Sequence, residues 1–209
     1  MTAGDGVKTH DRAVQATVDM IEQQGWNDVS LRGVASQLGI SAPALYRHFK
    51  DKDDLMRQTL VAVSHIAWED IEAAAEGIED PQERLLILAE KIIQTSDTRR
   101  HLVDFLFFSP YAIDAYRGRV DDPEDYPLLR EAKALIAKVF AETDTVLSMD
   151  EAMTILWSVL QGYCMLVING LATYNRFTLE RTLDALTVGW DDMGEKKAKM
   201  KKKARAAAK

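Results

Sequence analysis

The sequence predicts an all-α fold, a small N-terminal three-helix unit joined to a larger helical domain, about nine helices in all. Three observations predict it. Proline and glycine number only 5 and 11 in 209 residues, so few positions interrupt a helix. Runs of alternating β-branched residues, the mark of half-buried strands, are absent. Apolar residues instead recur three and four apart, behind residues that cap helices. A chain of 209 residues can bury one sizeable core, or carry a small domain attached to a larger one. The pattern divides it into 1–52, 53–194 and a tail, 195–209.

Residues 9–24 read as a first helix with Val14, Thr17, Val18 and Ile21 on one face, Thr17 turning its methyl inward. Gly25 closes it, and Trp26 and Val29 anchor a short link. Ser30 is placed to cap a second helix, residues 31–38, whose Leu31, Val34, Ala35 and Leu38 face inward. Gly39 stops that helix. Ser41 caps a third, with Pro43 in the first turn, where a missing N–H costs nothing. Leu45 and Phe49, four apart, form its buried face. Two short helices joined by about three residues, one of them glycine, make a helix-turn-helix, and the first helix completes its core.

Lys52 and Asp53 open a longer helix, 53–75, with Leu60, Val63, Ala67 and Ile71 at core spacing. Beyond Gly77, Asp80-Pro81-Gln82-Glu83 supplies a cap, a first-position proline and a third-position glutamate for the next helix. A further helix spans roughly 98–108, and 117–127 is the clearest loop. Residues 128–142 are amphipathic through Leu128, Ala132, Leu135 and Val139. Ser148 and Glu151 form a capping box for a long helix over 149–172. Thr178 caps the last helix, whose stripe is Leu179, Leu183, Leu186 and Trp190.

Composition excludes several function classes. The single cysteine, Cys164, rules out an internal disulfide framework and a cysteine-cluster metal site, and suits a reducing cytoplasm. The four histidines (His10, His48, His65, His101) lack metal-ligand spacing, so no metal or cofactor is expected. The N-terminus has no apolar secretory core. Gly-rich phosphate loops, nucleophile elbows and paired metal ligands are also missing, so an enzyme is not expected. The net charge of −7 conceals an asymmetry: residues 196–209 carry 8 of the 26 Lys and Arg and no acid, leaving 18 − 33 = −15 for the rest. A nucleic-acid binder built this way must concentrate positive charge locally.

The segment SLRGVASQLGISAPALYRHFKDKDDL, residues 30–55, resembles the DNA-binding domain of the TetR family of transcriptional repressors. The matching positions are Arg32, Val34-Ala35, Leu38-Gly39-Ile40-Ser41, Leu45-Tyr46, His48-Phe49, Lys52 and Leu55. The resemblance is strong over about residues 10–56; beyond that, only length and helical architecture agree. It implies a homodimeric regulator on a palindromic duplex, with Tyr46, His48 and Lys52 as phosphate clamps. Independently, Tyr46 and His48 lie two apart, flanking the helix while Leu45 and Phe49 stay inside. The positions for base reading are Ser41, Ala42, Pro43 and Ala44, plus Arg32 on the preceding helix, and Ser30 is a further candidate DNA contact. Alanine and proline pack on thymine methyls rather than hydrogen-bond, and Arg32 is the long donor suited to guanine. Arg47 is a second candidate, with a surface ion pair as its alternative. Lys8 and Arg12 are candidates for contact with a neighbouring backbone or minor groove.

Residues 153–175 form a charge-free run long enough to cross a membrane, and equally the pattern of a buried core helix. Its soluble-type capping box favours the core helix, and no membrane is expected. One face (Met153, Trp157, Leu160, Cys164, Ile168) is set to line the interior, the other (Ile155, Val159, Leu166) to meet another surface. With the next helix, that suggests a four-helix dimer interface, as the TetR resemblance also implies. Middle-helix aromatic and methionine side chains suggest either plain core packing or an apolar pocket for a small effector. Its candidate lining is Trp68, His101, Asp104, Phe105, Phe108, Tyr111, Met153, Trp157, Gln161 and Cys164. The lysine-rich tail is either a solvated segment or a sequence-indifferent contact to DNA.

Overall fold

The computed structural model describes residues 3–118, 126–141 and 148–183. Among these there are helices and no strands. The chain divides into two compact units: one takes residues up to Ala73 and 94–130, the other 74–93 and 131 onward. The first unit holds the helix-turn-helix together with most of the fourth helix and a later helical pair.

In the first unit, α1 runs Ala3–Gln24, earlier than the sequence predicts. The added residues lie ahead of the apolar stripe that marks the helix, and the stripe itself is buried, with Thr17 donating its hydroxyl to the Ala13 carbonyl at 2.8 Å. Gly25, at φ +85°, ends α1 and leads into a 3-10 turn, Trp26–Asp28. α2, Leu31–Leu38, has the expected bounds; the Ser30 hydroxyl accepts the Gly33 N–H at 3.1 Å, and Gly39 takes the left-handed conformation. α3 is one turn, Ala42–Leu45. Tyr46 N–H then donates to the Ala42 carbonyl and Phe49 N–H to that of Leu45. Ser41 stands at the cap in extended backbone, but its hydroxyl makes no capping bond.

α4 spans Lys52–Ala74. Its first turn is closed reciprocally: Asp51 accepts the Asp54 N–H and Asp54 accepts the Lys50 N–H, each at 2.8 Å. α6, Arg100–Phe108, fits the helix expected over roughly 98–108, and a second helix not expected, α7, Pro110–Tyr116, follows it. Ser109 breaks the run by accepting the Ala112 N–H, with Pro110 at the first helical position, so Ser-Pro is a new start. α1 packs against α2 and α6, α2 against α3, and α6 against α7.

The second unit holds the start of α5, Pro81–Thr98, and most of α8, Pro127–Ala141. It also holds α9, Met149–Ile168, and a last helix over 176–183. The α9 capping box is present as expected. The helix stops short of residue 172 because Gly170 turns left-handed at φ +67°. Ala152, Met153, Leu156, Leu160, Cys164 and Val167 are its buried side. Trp157 and Ile168, expected inside, are half-exposed, since the buried side is rotated towards Leu156 and Val167. The last helix is capped by Asn175, which accepts the Thr178 N–H at 3.0 Å, rather than by Thr178. Arg176 binds Glu83, Glu90 and Glu180 at 2.6–2.8 Å. Leu179 is buried; Leu186, Trp190, the basic tail and most of the 117–127 loop lie outside the described residues. By length and composition α9 could cross a membrane, a test that core helices of soluble proteins also pass.

Leu55, on the first turn of α4, is fully buried. Leu55→Ala should destabilise the chain by ~2–5 kcal/mol in chemical denaturation, as cavity-forming leucine truncations do.

Candidate nucleic-acid interface

The outward face of the α2–α3 segment follows from which of its residues are buried. Leu31, Val34, Ala35, Leu45 and Phe49 are inside. Helical spacing then turns Arg32, Ser41, Pro43, Tyr46 and Arg47 outward, and all five are exposed. Ala42, Ala44 and His48 are half-buried beside them, so the Ala-Pro-Ala turn presents a low, apolar surface. Ser30 is exposed but its hydroxyl is committed to Gly33. Among the described residues, no side-chain hydrogen bond or ion pair engages Arg32, Tyr46, Arg47 or His48. The ion-pair alternative for Arg47 thus has no described carboxylate to support it.

Lys52 differs from its neighbours. Its ammonium donates to the Asn27 carbonyl at 3.2 Å, linking the start of α4 to the 3-10 turn. Two further N–H bonds remain for an external acceptor. Lys50 is exposed, while its backbone N–H is held by Asp54. Basic and hydrogen-bonding groups are therefore gathered over residues 41–52 in a chain whose net charge is −7, the local concentration that an acidic DNA binder needs.

Two candidate pocket residues make long-range contacts to this segment's supports. The Trp26 indole N–H donates to Asp104 of α6 at 2.7 Å, and the Tyr111 hydroxyl of α7 donates to Asp53 of α4 at 2.8 Å. The Trp26 and Tyr111 rings meet edge to face, centroids 6.4 Å apart, and Phe105 packs on Tyr111 at 6.3 Å. Burial, then donation to the Asp53 carboxylate, raises the Tyr111 hydroxyl pKa far above its ordinary value, so it stays a donor. His101 backs Gly25 closely: a side-chain carbon there would lie 3.5 Å from its Nδ1, at a backbone angle that already favours glycine. Arg99 binds Glu22 of α1.

Phe105 is buried, and Trp68 and Phe108 are half-buried in the same unit. Met153 and Cys164 are buried, and Trp157 and Gln161 half-buried, in the other. The sequence reading missed His10, which stacks on Phe49 and bonds Gln58 and Asp11. Its partner Gln58 lies 48 residues away, beyond any local spacing signal. Among the described residues, no group of three or more metal-ligating side chains is present.

Residues 13–59 match the family model described as bacterial regulatory proteins, tetR family. The chain is 35% identical over 51 residues to an HTH-type transcriptional regulator of Staphylococcus aureus, covering 24% of this chain and 28% of that one. It is 29% identical over 111 residues to the HTH-type transcriptional regulator AcrR of Shigella flexneri, 51% of each. The chain thus spans between about a quarter and a half of these relatives' length. The solved structure of the multidrug binding protein EbrR, complexed with imidazole, superposes with a TM-score of 0.61 at 22% identity, over 85% of this chain and 88% of that one. That likeness shows the fold.

The Trp26–Asp104 bond is testable by a double-mutant cycle. Trp26→Phe and Asp104→Asn should each destabilise the chain by about 1–2 kcal/mol and show a coupling of ~0.5–2 kcal/mol in equilibrium unfolding.

Proposed function

From the match of residues 13–59 to the tetR family model, we propose that this chain is a tetR-family regulator: a homodimeric, ligand-responsive transcriptional repressor on a palindromic DNA operator. DNA binding, transcriptional regulation, the dimer, the effector and the sign of the response are all part of that proposal. The observation that carries it is the outward set on α2 and α3, uncommitted within the described protein and lying on a buried Leu45–Phe49 support. Tyr46, His48 and Lys52 contact phosphates and set the register. Arg32 reads a guanine, Arg47 is a second reader, and Ser41, Ala42, Pro43 and Ala44 pack on thymine methyls and sense groove shape.

Two copies place their α3 segments in successive major grooves about 34 Å apart. The side of α9 away from its buried stripe bears Thr154, Ser158, Gly162, Met165 and Leu166, all exposed. Small residues there allow close helix approach, and Met165 and Leu166 supply apolar area. This face joins its copy in the dimer, together with the last helix. The chain works in the cytoplasm, with DNA, a second copy and a small molecule as partners and no membrane.

EbrR, named a multidrug binding protein, holds imidazole in its solved structure. By analogy, the helical domain beyond the helix-turn-helix takes a small apolar or aromatic effector through its aromatic and methionine side chains. Binding favours a conformer with a different separation of the reading heads, and so releases DNA, provided the two conformers differ in effector affinity. The Asp104 and Tyr111 bonds would carry displacement of α6 and α7 to the head.

Footprinting of the purified chain on genomic DNA tests the whole reading: protection of two symmetric half-sites is expected, and absence of duplex affinity at low salt would refute it. His48→Ala and Lys52→Ala should weaken binding to all duplexes, and Lys52→Ala should lower the salt slope by about 1. Arg32→Ala should instead relax preference at one base pair by ~1–3 kcal/mol; a uniform loss would reassign Arg32 to phosphate.

A further inference from the structure

A polar chain at the start of α4 lies beside the outward set and ends on a histidine. Asp54 Oδ1 accepts from the Gln58 amide nitrogen at 2.8 Å. A carboxylate can only accept, so Gln58 must turn its NH₂ to Asp54 and its oxygen the other way. That oxygen meets Nε2 of His10, and Nδ1 of the same ring lies 3.1 Å from Asp11 Oδ1. Both ring nitrogens therefore face acceptors. A neutral imidazole has one N–H to give and would set a lone pair against an oxygen; the imidazolium satisfies both. The ring also stacks on Phe49, centroids 5.0 Å apart at 21°, where a positive charge over the aromatic face is favoured. One side chain thus joins α1, α4 and the turn that follows α3.

We propose that His10 is a proton-dependent brace of the helix-turn-helix: as imidazolium it ties α1 to Gln58 and Phe49, and so steadies the turn that bears His48 and Lys50 and leads to Lys52 at the start of α4. The charged groups around it are Asp11 on α1, Asp54 on α4 behind Gln58 with Arg57 beside it, and Lys50 on the turn. Burial of the ring lowers its pKa. The bonds to Gln58 and Asp11 and the charges of Asp11 and Asp54 outweigh that, and the net shift is upward from 6.5. With the folded value above the unfolded one, the brace contributes fully below pH 6.5 and is lost as pH rises through the folded value.

NMR titration of the full chain, carrying ¹³C-labelled histidine, tests the brace directly, with His10→Gln identifying the resonance. A His10 midpoint above 6.5 is expected, together with a melting temperature that falls with rising pH more steeply in the wild type than in H10Q. A midpoint at or below 6.5, or equal pH slopes, overturns the proposal. Gln58→Leu, which keeps His10 but removes its acceptor, should lower the midpoint; an unmoved midpoint also overturns it. The effect on DNA rests on the operator reading above. There the wild type should lose roughly threefold more duplex affinity than H10Q between about pH 6 and about pH 8. Equal losses sever the brace from the DNA face. A wild type that binds no duplex at any pH refutes operator binding, while titration and melting still decide the brace.

Discussion

Leu45 closes a helix that lasts only from Ala42 to Leu45, and Phe49, four residues on in the turn that follows, is buried as it is. A single turn has no stability of its own in water, because nucleation costs more than one or two hydrogen bonds return. Burying two such side chains contributes roughly 1.5–3 kcal/mol each, enough to fix the turn and its rotation about its axis. Once that rotation is set, Tyr46 and Arg47 have nowhere to point but outward. The same burial places Phe49 under the His10 ring and brings the chain to Lys52, where α4 begins. The outward chemistry of residues 41–52 therefore hangs on two apolar side chains that touch no ligand.

Most of this was legible in order along the chain because its signals are local. The bounds of α2, its serine cap, the left-handed Gly39 and the Ser148–Glu151 capping box each depend on residues within four positions of one another. Local signals failed where two readings competed. Ser109-Pro110 reads as the end of an apolar helix or as the start of a new one; the Ser109 side chain, bonded to Ala112, makes it a start. Asn175 and Thr178 are both capping types, and the carboxamide three residues upstream holds the position. The stripe on α9 was displaced because nearly every residue in it is apolar, so periodicity alone could not choose the buried side.

Long-range chemistry left no local trace. Asp104 and Tyr111 have the residue types of a pocket lining, and nothing in their neighbourhood shows that their partners are Trp26 and Asp53, 78 and 58 residues away. The surplus of acids, which seemed to argue against DNA, is in part this kind of supporting group. Asp51 and Asp54 close the first turn of α4, and Asp53 and Asp104 receive donors from neighbouring elements. Negative charge beside the basic segment builds the frame that keeps the positive groups facing out.

Lys52 shows a last consequence of that frame. A free lysine gives up much of its rotamer freedom when it grips a phosphate, a loss that offsets part of the contact. Here the Asn27 carbonyl already holds the ammonium at 3.2 Å. In the proposed contact with DNA, that entropy is surrendered during folding rather than at the encounter. A chain with a repulsive overall charge would thus draw more net affinity from a cation held in place beforehand, because that contact need not be ordered on arrival.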